Sequence, residues 1–247
     1  MIIVKNTCAI AKREFEAYFS TPLAYVILVT FTAAAGALPF YAGGLFTRRQ
    51  ADLAPFFSYI PWLFLILIPA IGMRLWAEER RSGTIELLMT MPVTIWDAVI
   101  GKFLAGWAFS IIALICTAPI WITINWLGAP DNGVIAANYV ASFLLAGTFM
   151  ALSACVSALT RNQVIAFVIS IAACTLFTVG GTDAVAASMR VSFPAAIADL
   201  VANLAFLPRL STIGNGVLDM RDVLFFLSFI VLCLFINAQI IEIKRGR

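Results

Sequence analysis

There is no histidine anywhere in the 247 residues. That removes the side chain whose charge changes near neutral pH, the usual general base and the commonest metal ligand. Charge of either sign is scarce as well: 12% of residues are Asp, Glu, Lys or Arg, against about 25% in soluble domains. Hydrophobic residues make up 62%, where roughly 45–50% is ordinary. A chain this apolar lacks the polar residues to cover its own surface as a water-soluble globule. Five cysteines (Cys8, Cys116, Cys155, Cys174 and Cys233) are scattered along it. None falls in an expected outer loop, so no disulfide framework is implied. Their plainest role is as small apolar filler.

Chemistry-bearing motifs are missing too. A phosphate-cradling loop needs a glycine five positions before a Gly-Lys that is followed by Ser or Thr. The Gly101-Lys102 pair is followed by Phe103 and has Trp96 where that glycine would stand. No H-E-x-x-H pair and no G-x-S-x-G elbow occur, and the long apolar runs hold no acid that would mark a proton or ion relay. The chain therefore reads as non-catalytic, holding no metal or nucleotide of its own.

What is present in abundance is charge-free sequence. Tyr18–Thr47, Leu53–Met73, Phe103–Pro130, Asn132–Thr160, Asn162–Thr182 and Val223–Ile241 lack Asp, Glu, Lys and Arg. Each meets or nearly meets the ~20 residues that cross a ~30 Å hydrocarbon layer as a helix. The expectation is an all-α polytopic membrane protein of six spans, a single domain over 1–247. The first run reads as a span rather than a cleaved signal, because Glu14 and Glu16 precede it and it continues past Ala33-Ala34-Ala35 to Phe46. With six spans, eleven Lys and Arg fall on the side of both termini and five on the other. Basic residues favour the cytoplasmic side, so both ends are expected inside. The net charge of +3 reflects that bias and does not argue for nucleic acid. Asp97 and Lys102, at the inner start of the third span, are expected to snorkel to the interface.

Three segments stand apart from the spans. In 1–20, Val4, Cys8, Ala11, Phe15, Tyr18 and Phe19 share one helical face, which predicts an amphipathic helix lying in the inner interface; Pro22 then suits the first turn of the span that follows. It is a lateral arm, a docking surface or a simple anchor. In the fourth span, Gly147, Ala151, Ala154 and Ala158 form a stripe of small residues on which helices pack closely in lipid, within the bundle or between subunits. The segment 183–220 is neither oily enough to cross nor polar enough for a soluble domain. Within it Ile197, Leu200, Val201, Leu204 and Leu207 repeat at helical spacing between Pro194 and Pro208. That predicts an amphipathic or reentrant outer helix, which gates an exit, docks an extracytoplasmic partner or merely connects.

The densest charge lies between the second and third spans. Arg74, Glu78, Glu79, Arg80, Arg81 and Glu86 are six of the chain's 29 charged residues, within 13 positions. Gly83 and Pro92 punctuate the stretch. Ile85, Leu88, Met89 and Pro92 align at helical spacing, Thr84 suits a cap, and Glu86 suits the positive end of a short helix. Such a helix, with carboxylates outward and an apolar ridge, fits a cleft on a soluble partner.

At this point E-E-R-R-S-G-T-I-E-L-L-M-T-M-P-V, followed by Trp96-Asp97-Ala98-Val99-Ile100-Gly101-Lys102-Phe103, resembles the signature of ABC-2 type exporter permeases. It is most similar to the subgroup containing the gliding-motility and nitrous-oxide-reductase maturation permeases. A second stretch, G-V-L-D-M-R-D-V-L-F-F-L from Gly216 to Leu227, is similar to that subgroup's entry into its last span. The resemblance implies a permease that pairs with a second copy or a paralogue. It also implies a separate cytoplasmic ATPase dimer that supplies ATP and magnesium, and a coupling segment over 77–95 that inserts into it. Glu78, Glu79, Arg80 and Glu86 would make the polar contacts, Gly83 and Thr84 the turn, and Leu87, Leu88, Met89 and Pro92 the ridge and its end. The family's amphipathic arm and reentrant helices match the two segments read above from their own residues. This chain has no large extracytoplasmic domain, so the substrates of lipid exporters that carry one are not implied. An apolar bundle suits a hydrophobic or lipid-like cargo, or none. A membrane anchor that recruits an ATPase, or a channel or carrier without one, are the alternatives.

Overall fold

The computed structural model describes residues 2–44, 52–84, 93–182, 185, 187, 190, 191, 199, 201–216 and 219–245. The principal elements are α1 (Ile2–Phe19), α2 (Pro22–Tyr41), α3 (Ala54–Gly72), α4 (Arg74–Ser82), α5 (Ile95–Ile115), α6 (Ala118–Leu127), α7 (Asn132–Leu159), α8 (Gln163–Val179), α9 (Phe206–Gly214) and α10 (Met220–Arg245). Among the described residues there is no strand. The fold is all-α, as the composition requires.

Local chemistry sets several of the helix starts. Pro22 opens α2, where its missing N–H costs nothing. Thr94 and Asp97 form a capping box on α5, each side chain accepting from the other's backbone N–H at 3.1 Å. Asp131 Oδ1 accepts from Gly133 and Val134 to cap α7, and Asn162 Oδ1 does the same for α8 from Val164 and Ile165.

Among the described residues five stretches are long and apolar enough to cross a membrane: Pro22–Tyr41, Ala54–Ser82, Ile95–Leu127, Asn132–Leu159 and Met220–Lys244. The run expected to supply a sixth, 162–182, departs from that layout. It forms a helix of only 17 residues, about 26 Å at 1.5 Å per residue. The Asn162 cap starts it late, and it ends at Gly180-Gly181, where a Cβ on Gly181 would lie 2.4 Å from the Ala205 methyl. A second departure concerns Pro208. It does not close the preceding helix but sits in the first turn of α9, a position where its absent N–H is tolerated. Most of 193–200 lies outside the described residues.

The core is organised around α7. It is 83% buried along its apolar window, more than any other span, and it packs against α3, α4, α5, α8, α9 and α10. Gly147, Ala151, Ala154 and Ala158 are all buried there within the chain. The reason for glycine at 147 is plain: a Cβ would lie 2.8 Å from the Trp107 ring and 3.0 Å from Ile230. That leaves room for Trp107 to stack on Phe143 with ring centroids 4.2 Å apart. By contrast α2 is only 22% buried, and Val26 and Val29 face outward.

Candidate functional site

At one end of the bundle α1, α4, the start of α5 and the ends of α7 and α10 converge, and most of the charged side chains among the described residues lie on these elements. The centre is Lys102, 1% exposed. Its Nζ lies 2.8 Å from Glu79 Oε1 on α4 and 3.1 Å from Glu14 Oε2 on α1, and 5.2 Å over the Trp76 ring. The expectation that Lys102 snorkels is thereby corrected. An ammonium is held out of water only where opposite charge replaces its hydration, and two carboxylates from two other helices do so here. Burial alone would push the Glu14 carboxyl up, but the Lys102 and Arg13 charges and hydrogen bonds prevail and hold it below its ordinary value. Asp97 does not snorkel either. It is 2% exposed, occupied by the capping box and by a hydrogen bond at 2.8 Å from the Thr7 hydroxyl on α1.

Position 157 is a device that sequence reading missed. The helix restarts at α4, so the first N–H groups of that helix have no partner within it. The buried Ser157 hydroxyl of α7 accepts from Trp76 N at 3.1 Å and Ala77 N at 3.0 Å, and donates to Met73 O at 2.8 Å. One serine thus caps a helix on another element. A serine in a small-residue stripe reads as packing, and nothing local marks it as a cap.

Further out, Arg80 donates to Ala158 O at 2.5 Å, and Lys244 to Ala158 O and Leu159 O at 3.2 and 2.8 Å. Two cations on the last carbonyls of α7 suit the negative end of that helix. Arg74 reaches Glu78 Oε2 at 2.9 Å and Thr21 Oγ1 at 3.4 Å. Gly83 ends α4 in the left-handed region, at φ +75°, where a Cβ is disfavoured. Beyond it the Thr84 hydroxyl lies 2.9 Å from Ser82 Oγ.

The residues singled out from sequence therefore divide. Glu79 and Arg80 turn inward, to Lys102 and to the end of α7. Glu78, Arg81, Ser82, Gly83 and Thr84 are exposed. Glu86, Leu87, Leu88, Met89 and Pro92 lie outside the described residues. Among the described residues no group of three metal-ligating side chains occurs.

The family model described as ABC-2 family transporter protein matches residues 8–245, nearly the whole chain. The chain belongs to the ABC-2 transporter family. Among curated proteins no relative matches it. The five long apolar helices among the described residues and the family together make it an integral membrane protein of ABC transport, a permease subunit. In this ABC-2 permease the charged end is the part of the described structure richest in groups that a water-soluble protein could bind.

Proposed function

We propose that this permease is the membrane-spanning subunit of an ATP-driven exporter or mechanotransmission complex, within the subgroup of the gliding-motility and nitrous-oxide-reductase maturation permeases. Two copies, or this chain and a paralogue, pair in a bacterial inner membrane with both termini cytoplasmic. The short α8 completes six crossings, α1 lies in the inner interface, and 183–220 caps the outer side, where an extracytoplasmic partner has access. A separate ABC ATPase dimer, loaded with ATP and magnesium, docks on 77–95.

The observation that carries this reading is how α4 is held. Its inward face is tied to α1 and α5 through Lys102, and to α7 through Ser157 and the Arg80 contact. Its other face and its glycine end are exposed, and in the sequence Glu86 and the expected apolar ridge follow. A push applied beyond Gly83 has rigid routes into three helices.

Glu86→Lys tests it. Removing one partner of a desolvated charged contact costs about 2–5 kcal/mol, so the variant is expected to lose the ATPase on copurification, or to hydrolyse ATP without coupled transport, while remaining inserted. Gly83→Pro, which cannot adopt φ +75°, is expected to act likewise. Wild-type binding and activity in both variants would defeat the docking assignment. The packed interior, with Phe64, Phe109 and Phe149 fully buried, leaves any route for cargo to the surface between two copies. It also favours the second reading, an assembly subunit that transports nothing, which an intact ATPase complex with no hydrolysis-dependent movement of any solute or lipid would establish.

A further inference from the structure

At the end of the bundle away from the charged cluster, α5 and α6 would form one continuous helix but for Pro119. Its ring would strike the carbonyl of Ile115 and it offers no N–H. The helical run is accordingly interrupted by a turn at Cys116-Thr117. The Thr117 hydroxyl bonds Leu114 O at 2.6 Å and lies 3.0 Å from the Tyr139 hydroxyl on α7. A groove of about 410 Å³ lies between α5–α6 and α7, walled by Ile111, Ile115, Ala118, Val140 and Phe143 with the rings of Trp121 and Tyr139.

We propose that this groove seats one acyl chain of a bilayer glycerolipid. Its only polar side-chain atoms already have partners: the Tyr139 hydroxyl at Thr117, and the Trp121 indole N–H on Asn132 Oδ1 at 2.7 Å. A water molecule needs two to four polar partners, and walls made mostly of hydrocarbon offer a poor site for one. Tyr139 and Phe143 lie seven and eleven residues along α7 from Asn132, about 10–16 Å at 1.5 Å per residue. That depth is hydrocarbon when the capped start of α7 sits among headgroups. Left empty, the groove would forfeit the dispersion contacts of its walls, and the hydrocarbon at hand is an acyl chain. A second copy fits poorly, because 410 Å³ holds about one turn of a helix 10 Å across.

The mouth suits the rest of a lipid. Beside Trp121, Asn125 and Asn132 exchange two hydrogen bonds of 3.1 Å, and Trp126, further along the same helix, is 90% exposed. Polar amides beside an outward tryptophan are what an interfacial belt provides. The inference rests on the chain being an integral membrane protein and is independent of ATPase docking.

The test uses the full-length protein in phosphatidylcholine vesicles containing phosphatidylcholine with a photoactivatable diazirine midway along one chain. After irradiation, adducts are mapped by peptide mass spectrometry. Adducts are expected at Ile111, Ile115 and Val140 at about tenfold the level at Val29 and Val231, which are exposed on α2 and α10. Tenfold corresponds to about 1.4 kcal/mol. Val140→Trp and Ala118→Phe fill the groove from opposite walls, and each is expected to abolish that excess and leave Val29 and Val231 labelled as before. Even labelling of all exposed apolar positions, as in ordinary bilayer contact, would overturn the proposal. So would groove adducts that persist in whichever filled variants melt like wild type. Disulfide crosslinking between copies through Val140→Cys, in place of lipid adducts, would assign the groove to a second copy and equally overturn it.

Discussion

Replacing Lys102 by methionine isolates the charge cluster at the head of the bundle. Methionine keeps most of the volume and the contact with Trp76, so what changes is the ammonium. The Glu14 and Glu79 carboxylates, each 17% exposed, then face one another with no cation between them. Breaking a buried ion pair costs about 3–5 kcal/mol. The residual exposure of both acids lowers this to about 2–3 kcal/mol, or roughly 4–12 °C in Tm at 2–4 °C per kcal/mol for a chain of this size. The assay is thermal unfolding in detergent at pH 7, with Lys102→Met beside the triple variant Lys102→Met, Glu14→Gln, Glu79→Gln. The triple variant carries no buried charge at the site, so it is expected to recover most of the loss, since replacing a whole buried cluster is often neutral. Acidification supplies the sign. The Glu14 carboxyl is held below its ordinary value of 4.5, so its contribution is complete above that value and lost as pH falls through the lower, folded one. Wild type is therefore expected to lose stability below pH 4.5 more steeply than Glu14→Gln. A Lys102→Met chain that melts like wild type, or a triple variant no better than the single, would refute the cluster's role.

Ser157→Ala leaves two buried N–H groups without their acceptor, and is expected to lower stability by about 1–3 kcal/mol in the same melt; Ser157→Thr, which keeps the hydroxyl, should lose less. Ala151→Leu is expected to overpack α7 at a cost of about 1–3 kcal/mol, and an unchanged Tm would contradict its burial. For the proposed sidedness, a background with the exposed Cys8 and Cys116 changed to serine is labelled from outside with a membrane-impermeant maleimide. Asn132→Cys is expected to react and Ser82→Cys to remain unlabelled; the reverse pattern would invert the topology and remove the docking face from the cytoplasm.

Membrane residence and helical class were legible in the sequence by themselves. With 62% hydrophobic residues and charge-free runs of about twenty, backbone polar groups must be satisfied within helices, whatever the neighbours. Local punctuation was legible for the same reason: Pro22 and Gly83 act on their own dihedrals and N–H groups. The small-residue stripe could be read as a packing face, but not which helices it meets. What tertiary structure decided was the fate of the polar side chains. Lys102 looked like an end-of-span anchor because its partners are 88 and 23 residues away, on α1 and α4. Ser157 caps a helix 80 residues back. Glu79 and Arg80, read as contacts for another protein, also hold this one together. Local pattern reports what a residue needs, whether burial, a partner charge or an acceptor. Only the packing of distant helices determines which group meets that need.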